Sequence, residues 1–142
     1  MGARIQAMLR QLRRISDRHR HGHGPFAHLF MPYEGSDVIA IDCETTGLDS
    51  RHAELVSIAA VPVKQGRVLT SQALDIKLAA PDSLEGSSIR IHRLRPVDLD
   101  EGESVVATLE QLLDFIGNRP LVGWCVDFDV AIVTRYLRPL MG

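Results

Sequence analysis

The sequence predicts one α/β domain, and three observations carry that expectation. A short apolar run, Val38-Ile39-Ala40-Ile41, reads as a buried strand, and two further extended runs follow it around a turn. Downstream the apolar residues change to three- and four-residue spacing, the mark of amphipathic helices. Between two such helices sits another short apolar run, Leu121 to Trp124. A chain of 142 residues with 45% hydrophobic and 24% charged content fits one globular domain with one core.

Residues 1–36 form a region of their own. Ile5, Met8, Leu9, Leu12 and Ile15 recur at helical steps while Arg10, Arg13 and Arg14 face elsewhere, so an amphipathic helix is expected to end near Arg18. His19, His21 and His23 alternate with Gly22, Gly24 and Pro25 in a stretch read as a linker that cannot continue the helix. Its histidines leave two readings open, a solvated connector or a metal trap, and the spacing lacks the further ligands of a metal site.

From residue 37 the domain proper begins. Strand one runs to Asp42-Cys43-Glu44 and ends in Thr-Thr-Gly-Leu-Asp turn chemistry. Glu54 to Val63 alternates as a second strand, Gln65-Gly66-Arg67 supplies a turn, and Val68 to Leu78 is expected to continue in extended form. Pro62 places part of the second strand at an edge or a bulge. Residues 81–102 read as a long polar loop with one helical turn around Ile89 to Arg93. Ser104 is the expected N-cap of a helix whose stripe is Val105, Leu109, Leu112, Leu113 and Ile116, closing at Gly117-Asn118. Leu121 to Trp124 is a fourth strand, and Asp129 to Leu137 a third helix that Pro139 halts.

Charge and cysteine usage narrow the function. Residues 1–31 carry six Arg against Asp17 alone, whereas residues 32–142 carry ten basic and seventeen acidic side chains. An acidic body argues against a duplex-binding module, which needs clustered Lys and Arg, and suits an enzyme that collects cations. Cys43 and Cys125 are expected to be reduced thiols. No apolar run reaches the roughly 18 residues that span a bilayer and no signal-peptide cleavage site appears, so the expectation is a cytoplasmic protein without stable membrane insertion.

Asp42 and Glu44 stand one residue apart on a strand, so both side chains leave the same face, with Cα atoms about 7 Å apart. They can grip a hard divalent cation together, or simply be solvated at a strand end. Asp129, close after the Leu121 strand, can join them if the first and fourth strands are adjacent and parallel, because open α/β sheets build their sites outside the carboxyl ends of the strands. Asp127 competes for that role, with helix capping as its alternative.

Asp42-Cys-Glu-Thr-Thr-Gly-Leu-Asp49 resembles the first motif of the DEDDh exonucleases, the group of RNase T and the proofreading epsilon subunit of DNA polymerase III. Leu121-Val122-Gly123 through Phe128-Asp129 stands where that family has its second motif, with Trp124 and Cys125 in place of the usual His-Asn. The resemblance implies a ribonuclease H-like mixed sheet with flanking helices, and two magnesium or manganese ions about 4 Å apart. It implies catalytic and metal-binding roles for Asp42, Glu44 and Asp129. Thr45, Thr46, Gly47 and Leu48 would cradle the terminal nucleotide, Leu48 as an apolar wedge, and His92 would lie near the substrate with Arg90, Arg93 and Arg95.

The family's third motif, a His followed by a fourth Asp, has no counterpart in order after Asp129. The domain is therefore expected to be partial, lacking the last strand and helices and exposing a face open to self-association. The N-terminal helix is a candidate cover for that face; a partner or an anionic membrane surface are its alternatives. The function expected is a 3′→5′ exonuclease acting on 3′ ends of single-stranded DNA or RNA. A catalytically silent nucleic-acid-binding or assembly module is the competing expectation, and a nucleotide hydrolase a third.

Overall fold

The computed structural model describes residues 13–24, 26–81, 83–84, 86–99 and 101–141, the side chains at 87 and 141 excepted. Five strands form one mixed sheet: β1 (Val38–Thr45), β2 (Leu55–Lys64), β3 (Arg67–Val68), β4 (Leu74–Lys77) and β5 (Leu121–Val122). β1 pairs antiparallel with β2 on one side and parallel with β5 on the other, with Ile39 opposite Leu121 and Ala40 opposite Val122. The adjacency that the second motif needed is therefore present. Residues 13–21 are helical (α1), followed by α2 (Gly86–His92), α3 (Val105–Ile116) and α4 (Val126–Met141).

The alternation along β1 decides where the core sits. Ile39, Ile41 and Cys43 are buried against Ile58 and Ala60 of β2, Leu109, Leu112 and Ile116 of α3, and Ile132 and Val133 of α4. The opposite face carries Ala40, Asp42, Ala59 and Val61, which with Thr70, Ala73, Leu74 and Asp75 line a depression of about 370 Å³. One residue of slip would exchange the two faces. Ser104 caps α3 as expected, its Oγ accepting from Ala107 N–H at 3.3 Å, and Gly117 closes it at φ 58°.

Several elements differ from the sequence reading. The first helix runs past Arg18 to residue 21, and Gly22 ends it by donating to the Arg18 carbonyl at 2.9 Å. Histidine is a tolerable helix residue and glycine is the real stop. His21 stacks on Phe30 at 5.3 Å, which gives it a packing role. Ile15 is exposed, and Ile5, Met8, Leu9 and Leu12 lie outside the described residues. The chain between that stretch and β1 is tied down: Asn118 Nδ2 donates to the Met31 and Pro32 carbonyls at 3.1 and 3.0 Å, Tyr33 donates to Asp37, and Arg119 pairs with Asp37 at 3.5 Å.

Val68 to Leu78 is not one strand but β3, a 3-10 turn at Thr70–Gln72, and β4, both on the same edge of β2. Pro62 is the reason. It is buried inside β2 opposite Ile39, whose own N–H goes to the Pro120 carbonyl, so the proline nitrogen faces the gap between β3 and β4 where no ladder bond is asked of it. Gln65 and Gly66 have φ of 50° and 73°, the left-handed pair of a two-residue hairpin turn.

The segment after β4 holds the seven-residue helix α2 and a 3-10 turn at Pro96–Leu99, more than the single turn expected. β5 stops at Val122, so Gly123 and Trp124 lie beyond the strand. α4 begins at Val126 and contains Pro139. Proline there loses one backbone bond in the final turn, a smaller cost than in a helix centre. Asp127 is thus the second helical residue and not the cap; Cys125 precedes the helix, its carbonyl accepting from Phe128 N–H at 2.8 Å.

Candidate active site

Two parallel strands bring their carboxyl ends together, and the chain after β5 is folded tightly against β1. Gly123 has no room for a side chain: a Cβ there would stand 2.6 Å from the Ile41 carbonyl oxygen. Cys125 follows at φ 52°, turning the chain into α4. One helical turn later Asp129 reaches back, and its Oδ1 accepts the Cys43 N–H at 2.8 Å. β5 has ended by this level, so the carboxylate satisfies an amide that no strand reaches.

Asp129 is 3% exposed. Burial pushes its pKa up, the Cys43 amide opposes that shift, and the nearby charge of Asp42 adds to it. Asp42 is exposed and Glu44 half-buried, both on the face opposite Cys43. Burial raises the Cys43 thiol strongly, and the charges of Asp129, Asp42 and Glu44 all push it the same way. A strand end that three carboxylates act on has no positive partner among the described residues: the ion pairs there join Arg51 and His52 to Asp49, Arg95 to Asp98 and Arg119 to Asp37.

Among the described residues, no three His, Cys, Asp or Glu side chains are gathered closely enough to hold one ion. Asp129 spends one oxygen on the Cys43 amide, and like charges without a counter-charge gain nothing by closing further. In type, however, the donors fit a hard divalent cation, being carboxylate oxygens without a basic neighbour.

The turn after β1 is held from within and from α4. Thr45 Oγ1 donates to the Gly47 carbonyl at 2.7 Å. Thr46 and Glu54 bond reciprocally: Thr46 N–H donates to the Glu54 carbonyl at 3.0 Å and Glu54 N–H to Thr46 Oγ1 at 2.9 Å. Ser83 Oγ bonds to Thr46 Oγ1 at 3.2 Å and also to Glu54. Asp49 accepts from the Arg51 side chain and amide and contacts His52; Arg51 holds its carboxyl far below the usual range. From α4, Arg135 donates to the Ser50 carbonyl at 2.9 Å and to that of Ala53, and Tyr136 Oη accepts from Leu55 N–H at 3.4 Å. Both threonine hydroxyls are therefore engaged inside the turn, and Leu48, 90% exposed, stands at its tip.

Arg135 and Tyr136 escaped the sequence reading. Their position two turns beyond Asp129 on the same helix was the available signal.

His92 ends α2. Its Nδ1 accepts from Leu94 N–H at 3.0 Å, while Nε2 is buried with no hydrogen-bond partner among the described residues. Arg93 follows at φ 63°, donating its N–H to the Ile89 carbonyl at 2.7 Å in the left-handed position that glycine usually takes. Arg90 and Arg93 are exposed, whereas Arg95 is paired with Asp98 and holds that carboxyl down to about 2. Ile91 is 76% exposed.

Residues 39–142 match the RNase T family, described as exonuclease. The chain is 26% identical over 110 residues to a PolC-type DNA polymerase III of Thermotoga petrophila, covering 78% of this chain and 8% of that protein. It is 29% identical over 126 residues to the oligoribonuclease of Sodalis glossinidius, covering 78% of this chain and 68% of the relative. Among solved structures it resembles E. coli exonuclease I in complex with a dT13 oligonucleotide, with a TM-score of 0.63, 16% identity, and coverage of 72% of this chain and 24% of that one. The chain thus spans under a tenth of the polymerases it matches and about a quarter of exonuclease I. No helix among the described residues is long and apolar enough to cross a membrane. The mixed sheet, its flanking helices and the family match over most of its length place this chain in the RNase T exonuclease family, with a ribonuclease H-like fold.

Proposed function

We propose that the domain over residues 37–142 is a metal-dependent 3′→5′ exonuclease domain acting on single-stranded DNA or RNA, with residues 1–36 as an appended basic region. The single observation that carries this is Asp129, buried without a cationic partner among the described residues and fixed by the Cys43 amide at the carboxyl ends of two parallel strands, beside Asp42 and Glu44.

Asp42, Glu44 and Asp129 would hold magnesium or manganese. Such ions supply charge neutralisation at phosphorus and lower the pKa of bound water. The chain's own residues do the rest. Thr45 to Leu48 offer a rigid backbone to the terminal sugar, with Leu48 as the apolar wedge at its base, and His92 lies at the end of the α2 segment to bound the substrate. The relatives' names and the single-stranded oligonucleotide in the exonuclease I complex support that substrate class. A cytoplasmic location and self-association through the open sheet face belong to the same reading; sedimentation velocity over a concentration series tests the latter.

The test is an oligonucleotide labelled at its 5′ end, incubated with manganese. Stepwise shortening from the 3′ end that Asp42→Ala and Glu44→Gln abolish is the expected result; products identical in wild type and both variants would overturn the reading. A silent nucleic-acid-binding module is the second reading, favoured by the exposed Arg13, Arg14, Arg18 and Arg20 on α1. Metal-independent binding that falls with salt and with loss of those arginines, without cleavage, would select it.

A further inference from the structure

We infer that Trp124 is a nucleobase-stacking residue of this site, an inference that rests on the exonuclease reading and adds a contact to it. Trp124 is 90% exposed, matched among the large apolar side chains of the described residues only by Leu48. An indole left in water is apolar surface held out of a core, and single-stranded nucleic acid is gripped by such rings because every base offers a π-face.

Its backbone is not loose. On one side Gly123 is wedged against the Ile41 carbonyl, and on the other Cys125 takes a left-handed φ and accepts from Phe128 N–H. The ring therefore rides on a fixed turn between β5 and α4, next to the end of β1 that carries Asp42 and Glu44. Charge gives a second reason. Three carboxylates at this corner repel phosphate, and Arg51 and Arg95 are already paired with Asp49 and Asp98. Cations held by these carboxylates would meet the phosphate at the reacting end, so the rest of the strand needs a grip that does not depend on positive charge, and stacking provides one. Leu48 and Trp124, both at carboxyl ends of the central strands, are the two apolar groups placed to hold unpaired bases there.

The chain contains one tryptophan, so its emission reports on this position alone. The full chain is titrated in calcium with dT12, following tryptophan emission, and in parallel with fluorescein-labelled dT12, following anisotropy. Saturable quenching with the same midpoint as the anisotropy is expected, weaker when the last two 3′ nucleotides are abasic. Trp124→Ala should weaken binding roughly 5- to 150-fold and Trp124→Phe by less than about fivefold, since a phenyl ring still stacks. Both variants should melt with wild type, the side chain being exposed. Full-affinity binding with unchanged emission, or a Trp124→Ala variant that binds like wild type, overturns the inference and leaves the exonuclease reading standing. A wild-type chain that neither binds nor shortens dT12 or rU12 overturns that reading and the inference with it.

Discussion

The turn after β1 and the segment after β4 flank the same carboxylates, yet they are held in opposite ways. Residues 45–55 are tied to themselves through Thr45, Thr46 and Glu54 and clamped from α4 by Arg135 and Tyr136. Residues 86–99 carry local bonds such as Leu94 to His92 and Arg95 to Asp98, and they contain a left-handed Arg93 and a buried His92 nitrogen with no hydrogen-bond partner among the described residues. The first region has the rigidity that positioning requires. The second carries two local costs, the left-handed Arg93 and the unpartnered imidazole nitrogen, and adjustable substrate segments are drawn from regions of low local stability.

The largest effect that would break this contrast is at Arg135. Removing its guanidinium in Arg135→Ala leaves the Ser50 and Ala53 carbonyls unpaired, and a loss of about 2–4 kcal/mol is expected in denaturant melts. Amide exchange should speed up across residues 46–55 while α2 is unchanged; uniform loosening of both regions would mean the clamp is not selective.

A smaller effect is expected where α4 meets β1. Asp129→Ala orphans the Cys43 N–H and should cost about 1–3 kcal/mol. Asp129→Asn keeps an oxygen acceptor and drops the charge. Since burial raises the Asp129 pKa above its unfolded value, the stability this group contributes is complete below the ordinary carboxylate range. It is lost as pH rises through the raised folded value. Asp129→Asn should therefore gain on wild type across that rise, in thermal melts without metal, and lose the stabilisation that added manganese gives wild type. A difference between the two that does not change with pH would contradict the assignment.

The smallest effect sharpens the other side. Arg93→Gly relieves a left-handed residue and should stabilise by about 0.5–1 kcal/mol, net of the added freedom of the unfolded chain. A destabilised variant would show that the Arg93 side chain is itself an anchor.

Much of this was legible in the residues because its signals are local. Ser104 and Gly117 announced both ends of α3, Gln65-Gly66 announced the hairpin turn, and Asp42-x-Glu44 on a buried run gave strand and face together. The pairing of β1 with β5 entered the sequence argument only as the condition for Asp129 to join Asp42 and Glu44, and it is met. What stayed hidden depended on distance or competition. α2 was obscured because Gly86 and two serines are poor helix formers and Ile89 with Ile91 also fits a strand. The clamp from Arg135 joins residues more than eighty positions apart, and no local pattern encodes it. Pro139 was read as a stop because its cost was judged for a helix centre rather than a last turn.

The bond between Asp129 and Cys43 also decides what aims the carboxylate. With Oδ1 anchored on the Cys43 N–H, the side chain takes its orientation from a peptide unit of the central strand and not from the helix that carries it. Any guest at this corner would meet a group pointed by the sheet.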